Sequence, residues 1–207
     1  MALILTAVVV FILIMLSEFW WRKHPQPNEL SRKFVHITVG SFVAFWPYFL
    51  SWTQIIILSV AFLVVVGASK YFRIFKAIHS VQRPTWGELF FALAVGIIAI
   101  VTDTKEIYTV ALLQMSLADG LAAIVGLRFG TGTRYKVFGS TKSIAGTATF
   151  FIVSFSLLVV FASVTDSYAP LGYLVALAAV TSLIENLGVF GLDNLMVPLV
   201  VALVLSH

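Results

Sequence analysis

The chain has 207 residues, 60% of them hydrophobic and 11% charged. A soluble domain carries about 25% charged residues, so this composition excludes an ordinary soluble fold and points to one integral membrane domain over residues 1–207. The absence of cysteine excludes disulfides and thiolate metal sites, and the net charge of +4 matters through its placement, not as a footprint for nucleic acid.

The apolar runs are of helix length and lack the ten-residue alternation of barrel strands. They predict an all-α, polytopic bundle of about seven or eight transmembrane helices. The expected spans are about 2–20, 34–51, 54–69, 86–102, 107–127, 146–164, 169–187 and 192–206. The first, MALILTAVVVFILIMLSEFWW, lacks the basic start and small-residue cleavage site of a secretory signal. Arg22 and Lys23 flank its far side, so it reads as a retained span with its N-terminus outside. The last segment is short and holds Asp193 and Pro198, which leaves open whether it fully spans.

Lys and Arg alternate between connections. The first holds Arg22, Lys23, Arg32 and Lys33, the third Lys70, Arg73, Lys76 and Arg83, and the fifth Arg128, Arg134, Lys136 and Lys142. Lys105 is the only basic residue in the others. Positive charge marks the cytoplasmic side, so the odd-numbered connections are expected there, the seventh by parity. They carry nearly all the side chains capable of chemistry. The third, SKYFRIFKAIHSVQRPTW, has basic residues every three positions and aromatics opposite. It reads as an amphipathic helix on anionic lipid or as a plain topology-setting loop.

Three constellations stand out. In Asn28 to Gly40, NELSRKFVHITVG, a helix puts Glu29, Lys33, His36 and Gly40 on one face, with Arg32 beside them. His36 lies about one turn inside a span and needs a partner in the bundle; a backbone carbonyl would suffice.

The second constellation is Asp119 to Gly146, DGLAAIVGLRFGTGTRYKVFGSTKSIAG. Asp119 lies about two turns inside the fifth span, among small residues that let a neighbouring helix approach. A metal, a basic side chain or a structural salt bridge would satisfy it. The segment after it reads as a loop suited to phosphate. Gly130, Gly132 and Gly139 free the backbone to turn its N–H groups inward beside Lys136, Lys142 and Ser143, Gly126 and Gly130 form a small-xxx-small pair, and a helix N-terminus near Lys142–Ser143 would face the anion. GSTKS lacks the Walker A spacing, and no strand is expected before it. In the third, TSLIENLGVFGLDNLMVP, Glu185 and Asp193 bracket a reversal, and Asn194 adds an amide for substrate. With Asp119 they supply oxygen ligands of the kind Mg2+ takes alongside substrate phosphates. Capping of a helix is the ordinary alternative for Asp193.

In this order the three constellations resemble the polyprenol kinase family, which includes dolichol, phytol and farnesol kinases and the CTP-dependent diacylglycerol kinase of yeast. The residues that carry the resemblance are Glu29 to Gly40, Ala118 to Gly130, Lys136, Lys142, Ser143 and Gly146, and Glu185, Asp193, Asn194 and Pro198. The resemblance implies CTP-dependent phosphorylation of a membrane-embedded alcohol, with Arg32, Lys33, Asp119 and Gly126 in the nucleotide-using site. The family is distantly related to CDP-diacylglycerol synthase, whose late Pro-Gly-His-Gly-Gly and Asp-Arg signature is absent here.

The expected site therefore holds triphosphate on Lys136, Lys142 and Ser143, brings Arg32 and Lys33 to the β/γ oxygens, and binds Mg2+ through Asp119 with Asp193 or Glu185. The base is His36 or one of the carboxylates. The expected partners are a lipid alcohol, a nucleoside triphosphate and membrane lipids, with no nucleic acid; close-packing glycines permit a homodimer. A cytidylyltransferase, or a small transporter for an anionic or phosphorylated solute, is the alternative.

Overall fold

The computed structural model describes residues 1–23, 28–72, 86–165 and 169–207. Within them the chain is an all-helical bundle with one small hairpin. The helices are α1 (Ala2–Lys23), α2 (Asn28–Ala44), α3 (Trp52–Phe72), α4 (Gly87–Val101), α5 (Lys105–Phe129), α6 (Ile144–Val164), α7 (Leu171–Leu187) and α8 (Asp193–Leu205). The expected all-α class agrees with this, and the helices fall on the expected apolar runs, with two local differences. The second helix begins at Asn28, ahead of its apolar run, and stops at Ala44. Pro47 cannot continue it and instead sits at the start of a 3-10 turn, Trp46–Tyr48. The amphipathic segment expected in the third connection lies, from Arg73 to Thr85, outside the described residues.

Two helices, Lys105–Phe129 and Ile144–Val164, are long and apolar enough to cross a membrane by length and composition, and five shorter apolar helices accompany them. The main core runs through Val43, Ile55, Ile98, Tyr108, Leu112 and Leu158. A second small cluster, Ala118, Ala122, Phe150 and Val197, joins α5, α6 and α8. Between them a polar strut crosses the bundle: Ser154 donates to Gln114 Oε1 at 2.8 Å and lies 3.1 Å from the Thr181 hydroxyl.

Successive helices run up and down. The ends of the first, third, fifth and seventh connections therefore gather at one pole, where Trp86 N–H donates to the Phe190 carbonyl at 2.9 Å. At the other pole the Thr109 hydroxyl donates to the Ala44 carbonyl, and Tyr173 donates to the carbonyl of Val204.

The segment after α5 is not the plain loop expected from its glycines. A 3-10 turn, Thr131–Thr133, leads into β1 (Arg134–Val137) and β2 (Ser140–Ser143), paired antiparallel with Tyr135 opposite Lys142. Phe138 and Gly139, both at positive φ, form its two-residue turn, the geometry that matches the twist of a hairpin. Tyr135 and Lys142 share the inward face, and Lys136 on the outward face is exposed.

Candidate active site

The site forms where α2 crosses α5. Their backbones approach closely because Gly40 faces the Ser116 side chain and Gly120 faces Ile37; a Cβ at either glycine would collide. The face of α2 carrying Lys33, His36 and Gly40 thus lies on α5, as the helical spacing requires. Lys33 makes a buried ion pair and hydrogen bond with Asp119 Oδ2.

A single π turn, Gln114–Ala118, interrupts α5 immediately before Asp119. Within it the Asp119 N–H is shared between the Gln114 and Ser116 carbonyls and does not go to that of Met115, four residues back, the partner an α-helix would use. The Met115 carbonyl is released, and His36 Nε2 donates to it at 3.0 Å. The same imidazole sits 3.7 Å from Asp119 Oδ2 and edge-on to Phe91 at 5.4 Å. In the neutral ring, an Nε2–H committed to a carbonyl leaves Nδ1 as the acceptor. Such π turns often occur at functional positions, and nothing in the residue pattern 114–118 announces this one.

Glu185, on the last turn of α7, and Asp193, at the start of α8, complete the acidic group. One oxygen from each of Asp119, Glu185 and Asp193 lies within 4.8 Å of the others. Asp119 and Glu185 are 5% and 6% exposed, so this charge density is held largely out of solvent. Lys142 reaches in from the hairpin, donating to Glu185 Oε1 at 2.5 Å and to its carbonyl at 2.8 Å. Burial alone would lower the Lys142 ammonium, but the Glu185 carboxylate, by its charge and its hydrogen bond, outweighs this and holds it above its ordinary value. Gly188 lies against Asp193, with a Cβ there only 2.6 Å from that of Asp193, so this glycine lets the reversal carry Asp193 toward the cluster.

The hairpin is fixed to the bundle by Tyr135, whose hydroxyl lies 2.5 Å from both Thr147 Oγ1 and Asn186 Oδ1. Ser143 caps α6 by accepting the Gly146 N–H at 3.1 Å. Gly126, Gly130 and Gly146 pack around that hydroxyl, and a Cβ at Gly126 would stand 2.8 Å from it. These three glycines and Ser143 thus have a packing role in seating the hairpin beside Asp119. Asn194 is buried and donates from Nδ2 to the Gly87 carbonyl at 3.0 Å, tying α8 to α4.

Lys33, His36, Asp119, Lys142, Glu185 and Asp193 therefore converge. Lys136 stays on the exposed face of the hairpin, and the side chain of Glu29 lies outside the described residues. Sequence reasoning missed the π turn, the Tyr135 anchor and Gly188. A strand signal did exist for the hairpin: two short segments, RYKV and STKS, separated by two residues ending in Gly. For Ser143 the sign was a hydroxyl directly before an apolar helix.

Three segments far apart in sequence thus supply hard oxygen donors, one buried and one half-buried ammonium group and an imidazole to one pole of an apolar bundle. That donor set suits a divalent cation and the phosphates it accompanies. No family model matches the chain, and no solved structure does. Phytol kinase of Synechocystis sp. (strain ATCC 27184 / PCC 6803 / Kazusa) is 34% identical over 199 residues, covering 92% of this chain and 84% of that protein. An uncharacterized protein of Methanocaldococcus jannaschii is 27% identical over 191 residues, covering 87% and 94%. With that extent of identity to the phytol kinase, the chain belongs to the polyprenol and phytol kinase family.

Proposed function

We propose that this protein is a multi-pass membrane kinase that transfers the γ-phosphoryl group of CTP to the hydroxyl of a prenol-type lipid alcohol, with its site at the cytoplasmic face. The observation that carries this reading is the trio Asp119, Glu185 and Asp193 beside Lys33, in a chain similar to a phytol kinase. Large apolar side chains on the outside of the bundle, such as Val64, Ile100, Ile152, Val160, Leu171 and Leu183, support seven or eight spans. A soluble monomer rarely exposes so continuous an apolar surface. The Lys and Arg census supports a cytoplasmic site.

The three carboxylates fit Mg2+. Its oxygen ligands at about 2.1 Å stand about 3 to 4 Å apart in an octahedron, and the three oxygens already lie within 4.8 Å of one another. Asp119, Glu185 and Asp193 would hold the ion, which when bound neutralises phosphate charge and orients the β and γ oxygens. Lys33 and Lys142 balance Asp119 and Glu185 in the ligand-free protein. With nucleotide present they turn to phosphate oxygens, together with Arg32 and the exposed Lys136. The alcohol oxygen forms a bond to the γ-phosphorus as the bond to the bridging β–γ oxygen breaks, and CDP leaves. The hydroxyl proton passes to His36 Nδ1 or to a carboxylate.

The test is to give purified protein in detergent Mg2+ and CTP labelled at either the γ- or α-phosphate, with prenols, phytol, diacylglycerol and phosphatidate. Label from the γ position in a prenyl phosphate supports the proposal. Label from the α position would mean cytidylyl transfer. No product with any lipid would leave a transporter for an anionic solute as the better reading.

A further inference from the structure

Beside the carboxylate trio, between α1, α2, α3, α4 and the start of α8, lies a half-open cleft. Its lining has two ends. Arg32, His36, Glu88 and Asn194 stand at the pole of the site, whereas Ile14, Val39, Phe62 and Val66 line the rest. Arg32, Val35, His36 and Val39 follow helical spacing on α2, so one stripe of that helix forms a wall. A second, much smaller cavity continues from it, lined by Val10, Val43, Trp46, Leu58 and Val95 among others. The two share Val39, Phe62 and Phe91. From Arg32 to Trp46 the chain advances about 20 Å along α2 and its end, so together the cavities make a narrow, mostly apolar path with its charged groups at one end; Ser59, which donates to the Ala92 carbonyl, and Trp46 are the polar side chains lining the far cavity. The rings of Phe62 and Phe91 meet edge to face at 6.3 Å where the cavities join.

Glu88 Oε1 is buried and accepts no hydrogen bond among the described residues. A buried acceptor without a donor is costly, and a hydroxyl at the end of an apolar chain would supply the donor. His36 lines this cleft and also stands 3.7 Å from Asp119, so a hydroxyl held there lies beside the carboxylates.

Resting on the kinase reading above, we infer that this cleft is the acceptor site: one lipid alcohol lies along α2 with its hydroxyl at His36 and Glu88, and the Phe62–Phe91 pair gauges the length of its tail. Short tails end above the pair. Longer tails enter the second cavity by displacing Phe62.

The experiment uses the full-length protein in detergent without nucleotide, and a farnesol analogue carrying a diazirine on its tail. Photolabelling is expected on residues of the cleft, with geraniol, farnesol and geranylgeraniol as competitors. In Phe62→Ala the preference for geranylgeraniol over farnesol should rise about tenfold, the scale on which an apolar pocket discriminates added carbon. Phe62→Leu, a milder change, should move it in the same direction if the alanine variant unfolds. The corresponding hydrocarbon without the hydroxyl should compete at least about tenfold more weakly than farnesol. Labelling outside the cleft overturns the inference, as does an unchanged order of competitors in both folded variants. The kinase reading is separable. Cleft labelling without phosphate transfer would leave the prenol site standing and remove the kinase; transfer with labelling elsewhere would do the reverse.

Discussion

Replacing Lys33 by Met removes the cation that sits on Asp119 and leaves three carboxylates facing one another. At 4.8 Å, with an effective dielectric of about 20, each like-charge pair costs about 3.5 kcal/mol. Breaking a buried ion pair by deleting one partner costs about 3–5 kcal/mol, and Lys33 and Asp119 are both buried. Lys33→Met should therefore lose about that much stability in EDTA, measured by denaturant unfolding in micelles. Mg2+ should restore more stability to the variant than it adds to the wild type, because Lys33 no longer competes for Asp119. Adding Asp119→Asn should restore stability in EDTA and abolish the Mg2+ response. If Lys33→Met matches the wild type in EDTA, or if Mg2+ stabilises the double variant equally, the three acids do not form one cation site.

Three other outcomes test how the hairpin is held. Gly126→Ala should cost about 1–3 kcal/mol by overpacking, because its Cβ would meet Ser143 Oγ at 2.8 Å and Gly146 Cα at 3.4 Å; unfolding in micelles reads this directly. Phe138, exposed and at φ 45° in the turn, is a residue type poorly suited to that conformation, so Phe138→Asn should raise stability by about 1 kcal/mol. Lys142 has its folded value raised above the ordinary 10.5. Its contribution is therefore complete below 10.5 and lost as pH rises through the folded value. A pH series of melting temperatures should show that alkaline fall in the wild type and a smaller one in Lys142→Arg, whose guanidinium keeps its charge.

Much of this arrangement was legible in the residues because hydrocarbon restricts what a chain can do. Apolar runs predict helices, and charges inside them must meet partners, so Lys33, Asp119, Glu185 and Asp193 had reason to converge. Their mutual pairing was less legible: spacing tells that Lys33 and His36 share a face, not that Lys33 takes Asp119 while His36 takes a carbonyl. The π turn at Gln114–Ala118 takes the Asp119 N–H away from that carbonyl and leaves it to His36, and no residue pattern marks such a turn. Gly130 reads both as a phosphate-cradling position and, with Gly126, as one of a close-packing pair, and the sequence does not say what packs there. Only the three-dimensional approach of Ser143 and Gly146 identifies the partner. Glu88 is a single acid in the first turn of its helix, and only the cleft beside it distinguishes it from an ordinary helix-start carboxylate.

The most direct measurement is transfer of the γ-label from CTP to phytol or another prenol by Asp119→Asn, Glu185→Gln and Asp193→Asn, each purified as a folded protein and compared with the wild type. The expected result is transfer by the wild type and a loss of at least about a hundredfold in Asp119→Asn, with smaller losses in the other two, since an interaction of about 3 kcal/mol made in the transition state corresponds to that factor. Undiminished transfer by a folded Asp119→Asn, or wild-type protein that labels lipid from the α position alone, would contradict phosphoryl transfer at this cluster.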